Sequence, residues 1–376
     1  MISSIRTNSV AVAVGLLTIS PAVLAQTDES VTDTRPSVAP DIRDDESRLK
    51  MQKGNFVVVP IPISNPTLDS GLVLGAAYFY PQTAEQKQAQ PASVTGGAAM
   101  YTANDSRAAA LVQQNYWRND RWRFTGAVGA ADLRLSLIAP DEDSGTASVD
   151  WRISGKFFLA RLSRRISGDW YGGFYARSVD ANQGLSFGGE TPDFDTGDVR
   201  SAGLGMTVEH DSRDLPINTY TGRYLKIDAL FNDEAVGSND TYQSYDVSFR
   251  SYHEMTDSIV LAWEALGCLR EGTVPLWDSC RIKLRGFSAT DYLGLASWSA
   301  QAELRWRMSK RWGLVAFTGA GEVANSFSGF RDREAIPSYG AGVRFSVLPA
   351  QRINLRLDYA KSRDSDAIHF SVGEAF

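Results

Sequence analysis

From residue 55 to residue 376 one pattern recurs: apolar and polar residues alternate in segments of about ten, with no convincing helical period. "RINLRLDYA" sets Ile353, Leu355, Leu357 and Tyr359 against Asn354, Arg356 and Asp358. "SAQAELRWRM" sets Ala300, Ala302, Leu304, Trp306 and Met308 against Gln301, Glu303, Arg305 and Arg307. "YLKIDALF" and "SYDVSFR" alternate in the same way, Leu225, Ile227, Ala229 and Phe231 against Lys226 and Asp228, then Tyr245, Val247 and Phe249 against Asp246 and Arg250. A period of two sends successive side chains to opposite faces of an extended strand. One apolar and one charged face is the pattern of a strand with lipid on one side and a polar lumen on the other.

The connections separate this reading from a soluble β-sandwich, whose strands also alternate. Short ones, Arg118–Asp120, Ser167–Asp169, Met255–Ser258, Ser309–Arg311 and Pro349–Gln351, take turns with long ones. The long ones are Ala181–Gly197, Asn232–Asp240, the cysteine-bearing segment and Ala324–Pro337. Short turns at one rim and long loops at the other are expected of a bacterial outer-membrane barrel, with the turns in the periplasm. Trp117, Trp122, Trp170, Tyr171 and Trp312 sit beside the short turns, where an interfacial aromatic girdle belongs. The predicted fold class is all-β, a transmembrane antiparallel barrel of about 16 strands. The chain ends on a strand-like segment with Phe376 last, which suits a sheet closed by pairing its first and last strands.

The first residues read differently. Residues 1–25 run from Arg6 through an apolar stretch to small residues ending at Ala25, the order of a cleavable export signal. Residues 26–54 are charged, Pro-containing and almost free of aromatics, and read as a disordered periplasmic tether with one helical turn near Asp44–Lys53. The barrel is assigned to 55–376.

Composition narrows the chemistry. The formal net charge is −6 with both signs mixed along the chain, and no basic stripe marks a nucleic-acid partner. Cys268 and Cys280 are the chain's 2 cysteines, and in an exported protein they read as one disulfide closing a loop. Neither His210, His253 nor His369 lies near them in sequence, so no metal is expected. His210 has Glu209 and Asp211 beside it, which superficially suggests acid–base chemistry. It falls next to a turn, however, and no serine nucleophile motif or nucleotide fingerprint is evident, so neither an enzyme nor a cofactor is expected. Arg152, Lys156, Arg305, Arg307, Arg344 and Arg356 are expected to line the lumen. Pro60 and Pro62 remove ladder donors from the first strand, which should pair poorly.

Three ordered patterns carry a family resemblance. "LRGF" (Leu284–Phe287) lies in the longest loop. "HDSRDLPINTYTGRYLKIDALF" (His210–Phe231) is a turn with Asp211, Pro216, Thr221 and Gly222 ahead of a strand. The third is the terminal hairpin closing on "VGEAF". Together they resemble the BamA/TamA-type outer-membrane assembly factors, the bacterial surface antigen family, over essentially all of 55–376. The order agrees as well, with the Pro-Thr-Gly turn leading into the ninth strand and the RGF loop between the eleventh and twelfth. Val58–Pro81 resembles the first hairpin of smaller members.

The resemblance implies that this loop folds into the lumen, with Arg285 held by the inner wall, Gly286 allowing the tight turn and Phe287 filling space beside it. Glu303, on the polar face of the next strand, matches the family's acidic position and is the expected partner. Gly319 stands where relatives commonly carry Asp, and Glu322 lies on the opposite strand face, so fewer acidic contacts and a looser loop are expected. Family assembly factors carry periplasmic POTRA domains, for which 26–54 is too short, so this reads as a short member without them.

The function expected is protein or lipid insertion or translocation, or maintenance of the outer membrane. The alternative is a passive or gated pore, or a structural barrel. The expected location is the outer membrane and the expected partner its lipid. A periplasmic chaperone or accessory protein and a second copy of the chain are further candidates.

Overall fold

The computed structural model describes residues 54–376, apart from 140–146, 187–193, 350–351 and positions 217, 333 and 364. The export signal and tether expected at 1–25 and 26–54 therefore lie outside the described residues, save Gly54.

The ring opens with β1 (Asn55–Asn65), β2 (Asp69–Phe79), β3 (Val94–Thr102) and β4 (Arg107–Trp117). Four longer strands follow: β5 (Trp122–Ala139), β6 (Ala147–Ser167), β7 (Trp170–Ser186) and β8 (Phe194–Asp211). β9 (Gly222–Asn232), β10 (Tyr242–Thr256) and β11 (Ile259–Gly272) lead to the long loop. β12 (Ala296–Arg307), β13 (Trp312–Ala324), β14 (Ile336–Leu348), β15 (Ile353–Ser362) and β16 (Asp366–Val372) complete the wall. All 16 pair antiparallel with their neighbours in sequence, and β16 meets β1 to close the barrel. One short helix, α1 (Ala84–Ala89), sits between β2 and β3 with a Thr83/Gln86 capping box, too brief for periodicity to reveal. Just after it, Gln90 accepts the backbone N–H groups of Asn119 and Asp120 and so docks on the β4–β5 turn.

Closure is uneven. β1 matches β2 at all 11 of its residues, whereas β1 and β16 share one registered pair, Ser64↔Phe370. Pro60 and Pro62 have the same strand parity, so their two missing N–H groups belong to the same edge of β1.

The lumen is filled and two-sided. On β5–β7 the inward positions toward the long-loop rim are mainly apolar, with Leu133, Leu135, Trp151, Ile153, Phe157 and Val179 buried, while Arg123, Arg161 and Arg177 also point inward. On β10–β15 a buried charged cluster, Glu264, Glu303, Arg305, Arg344 and Asp358, stands among inward apolar residues such as Val260, Val315 and Phe317.

This division corrects several sequence expectations. Arg152 and Lys156 face outward, because their neighbours Trp151, Ile153 and Phe157 take the lumen side. Tyr171 faces inward, where its hydroxyl donates to Asp120 at 2.6 Å, and is not part of the outer girdle. Much of 181–197 is strand, with Ala181 opposite Val199 and Gly184 opposite Asp195, so β7 and β8 climb higher than expected. The last strand stops at Val372: Gly373, at φ +92°, turns the chain, and Phe376 is buried beyond the strand's end.

Candidate functional site

The long loop between β11 and β12 enters the lumen and is fastened there in three places. The first is covalent and begins on the inner face of β11, where Cys268 is bonded to Cys280 with the Cα atoms 5.5 Å apart. The disulfide thus ties the loop to the barrel wall. Beside it, Cys280–Arg281 pairs with Leu293–Gly294, so the loop doubles back on itself.

The second is Asp278, fully buried. Its carboxylate accepts hydrogen bonds from Arg177 (2.5 Å) and the Tyr242 hydroxyl (2.8 Å), while Arg270 donates to its backbone oxygen. Donors on β7 and β10 converge here on one loop carboxylate, with the Arg270 guanidinium of β11 3.5 Å away. The adjacent Trp277 is buried in the apolar half of the lumen.

The third is the Arg-Gly-Phe tip. Arg285 lies with its Nη2 2.5 Å from Glu303 and its Nη1 2.9 Å from Asp358 on β15. It also donates to Gln301 at 3.3 Å, and its guanidinium carbon stands 3.4 Å from the centre of the Phe317 ring. A planar fork suits this site, because it can serve separate acceptors and stack on an aromatic face at once.

Each carboxylate is held from behind. Glu303 accepts from Arg305 at 2.6 Å, and Asp358 from Arg344 at 2.5 Å. Arg344 donates in turn to Glu374 at 2.7 Å, and Arg305 to the Phe376 carbonyl at 2.9 Å. Charges of alternating sign therefore run from the loop tip to the residues beyond β16. Burying so many charges is tolerable because each has a partner of opposite sign.

Gly286 takes φ +88°, and a Cβ there would press on the backbone of Lys361 and Ser362. Its N–H donates to His369 Nε2 on β16 (3.2 Å), and its carbonyl accepts from Ser365 (2.6 Å). Phe287 is buried with Ile282, Leu284 and Ile336 and meets Tyr292 edge-on. A few residues on, the Ala289 N–H donates to Thr67 in the β1–β2 turn at 2.8 Å. The loop therefore grips both sides of the weakly paired β1–β16 junction.

At the short-turn rim, the β8–β9 turn bends under the barrel. Asp211 takes both arms of the Arg213 fork at 2.8 Å, and Arg213 reaches the Pro216 carbonyl. Thr221 pairs by backbone with Asp214, and Gly222, at φ +112°, has no room for a side chain against Ser212. Asp214 accepts from Arg352 of the β14–β15 turn at 2.5 Å, while Arg352 and Arg307 each lie over the Tyr220 ring, at 3.7 and 3.9 Å. Burial would raise the Asp214 carboxyl, but the Arg352 hydrogen bond and two backbone N–H groups hold it below the usual range.

The structure thus gathers Arg285, Gly286, Phe287 and Glu303 in one place and sets the Asp211–Gly222 turn in another. The expected looser loop is not what this geometry shows. Asp358, on another strand, provides a second carboxylate, and it escaped sequence reasoning together with Gln301, His369 and Glu374. Glu322, as expected, is on the outer face, where the Trp298 indole donates to it. The three histidines lie apart: His210 packs on Trp170, His253 bonds Ser251 and His369 holds the loop tip.

Comparison with solved structures finds the same architecture. BamA from Haemophilus ducreyi lacking POTRA domains 1–3 aligns with a TM-score of 0.56 at 14% identity, covering 85% of this chain and 70% of that one. CdiB from Escherichia coli aligns at 0.58 and 11% identity, covering 94% and 73%. CdiB from Acinetobacter baumannii aligns at 0.57 and 14%, and this chain spans 60% of that protein's length. At such identities the likeness is one of fold. No curated protein matches the sequence. The Omp85 superfamily domain, however, matches residues 88–376, most of the chain. The chain belongs to the Omp85 superfamily, whose members are outer-membrane β-barrels acting as transport or assembly factors.

Proposed function

We propose that this barrel assists the insertion or translocation of proteins or lipids at the outer membrane by opening between β1 and β16. The junction itself carries the reading: one registered pair closes it, two prolines weaken the β1 edge, and a lumen loop spans it from within. A strand with unsatisfied ladder groups can template an incoming strand, and release of the loop would free that edge. The cradle of Arg285 is then the latch. The filled lumen favours this over a passive pore, because an ion would have to pass the loop and its buried charges.

Ser64 and Phe370 face each other across the junction, so Ser64→Cys with Phe370→Cys locks it when cross-linked. In proteoliposomes, the native barrel should speed the folding of a urea-denatured outer-membrane barrel, and the cross-linked form should not. Either single-cysteine variant should behave as the native protein. In planar bilayers, native currents should be small and flickering, and Arg285→Ala or Glu303→Ala should enlarge them. A large steady conductance unchanged by either variant, with no assisted folding, would establish the pore instead.

A further inference from the structure

The outer wall of β4–β8 changes character abruptly. Going up from the short-turn rim, its outward side chains form an apolar band that includes Leu111, Val128, Phe158, Phe174 and Leu204. Above that band they become charged. The register runs the change across neighbouring strands: Lys156 stands opposite Asp180, and Asp180 opposite Arg200. Likewise Arg107 stands opposite Asp132, and Arg134 opposite Arg152.

These pairs present their positive ends. The side chains of Arg107, Arg152 and Arg200 are 69%, 55% and 54% exposed, whereas Asp132 and Asp180 are 15% and 20%. Asp132 serves Arg107 and Arg152 together, and Lys156 makes no ion pair among the described residues, so this level carries excess positive charge. Arg134 is matched by Asp105 at 3.0 Å, both 54% exposed. Asp150 and Asp198 stand one outward position beyond Arg152 and Arg200, farther from the band. Across the barrel, outward positions toward the same rim do not repeat this basic cluster: Ala300, Ala302 and Tyr339 stand there with Glu322 and with the opposed Lys361 and Asp366.

We infer that β4–β8 form a docking surface for lipopolysaccharide, the phosphorylated glycolipid of the outer leaflet. Its acyl chains would lie on the apolar band, and its glucosamine phosphates would meet the guanidinium groups and Lys156 directly above. The ribbon lies toward the long-loop rim, which faces outward in such barrels, so the lipid at this height is the outer-leaflet one. Arginine forks bind phosphate oxygens in pairs, and basic clusters at a lipid surface bind anionic headgroups. None of this depends on the β1–β16 junction opening.

The test uses delipidated full-length protein in neutral-lipid nanodiscs and measures binding of fluorescent lipopolysaccharide. Lys156→Glu, which breaks no ion pair, and the triple variant Arg107→Gln, Arg152→Gln, Arg200→Gln should each weaken binding about tenfold or more. Arg311→Gln, at the other rim, should bind as the native protein. Dephosphorylated glycolipid should bind no better to the native protein than lipopolysaccharide does to Lys156→Glu. Migration of unheated samples in gels checks that each variant is folded. Native-like binding by a folded Lys156→Glu would overturn the proposal. So would equal affinity for phosphatidylglycerol, or displacement by millimolar inorganic phosphate.

Discussion

Arg285 touches three strands at once: Gln301 and Glu303 on β12, Phe317 on β13 and Asp358 on β15. Its removal leaves two buried carboxylates short of one counter-charge, a change that typically costs about 3–5 kcal/mol. Arg305 and Arg344 still face those carboxylates, which places the expected loss for Arg285→Ala at about 3 kcal/mol of loop attachment. Arg285→Lys keeps the charge but loses the fork and the stacking, and should fall between the two. Proteolysis within 282–295 measures this directly, with cleavage fastest in Arg285→Ala, slower in Arg285→Lys and slowest in the native protein. Equal rates in all three would refute the cradle as the anchor. Gly286→Ala should loosen the tip by about 1–2 kcal/mol, because a side chain is strained at that φ and presses on β15. Much of this cradle was legible: Arg285, Gly286 and Phe287 stand out as a triplet, strand parity puts Glu303 on the polar face, and the family resemblance singled it out as the partner. Asp358 did not emerge, because it lies 73 residues from Arg285 and meets it only once the barrel has closed.

At the scale of elements, the strands revealed themselves wherever one face was apolar and the other charged, as on β9, β10, β12 and β15. The signal failed on β6, where Trp151, Ile153 and Phe157 are buried inside while Arg152 and Lys156 stand outside. Alternation shows that two faces differ, not which of them is the lumen. Length was misjudged for a related reason, since the glycines and polar residues of 181–197 resemble a loop although much of the stretch is paired.

Two connecting elements make predictions. Asp214 has a lowered folded pKa, so its contribution is present above the unfolded value near 3.9 and is lost as pH falls through the lower folded one. Hydrogen exchange in 212–221 should therefore rise below about pH 4. Asp214→Asn should raise exchange at neutral pH and flatten that dependence; an unchanged profile would remove Asp214 as the tie to Arg352. Replacing both Cys268 and Cys280 by Ser should weaken attachment of the loop's first half by about 2–4 kcal/mol while leaving the Arg285 contacts formed. Protease sensitivity should then appear at 273–281 before 284–287, and the reverse order would exclude the disulfide as the first fastening.

For the whole molecule, the question is what keeps the ring shut. Fifteen of the sixteen strand junctions are ladders of many registered pairs, and the sixteenth has one. A ladder that short offers little cooperative resistance to fraying, so the junction must draw its stability from elsewhere. The lumen loop is the evident source, since Gly286 is bonded to His369 and Ser365 on one side and Ala289 to Thr67 on the other. The beginning and end of the wall are thus linked through the middle of the chain, and the ionic cradle sets how firmly. It follows that a loop variant should act at a distance on β1. In hydrogen exchange, the amides of β1 and β16 should exchange faster than those of β11, and Arg285→Ala should accelerate β1 and β16 severalfold while leaving β5–β7 unchanged. If β1 exchanges as slowly as β11, the junction is not weak. If Arg285→Ala frees the loop without touching β1, the loop rests in the lumen but does not hold the barrel closed.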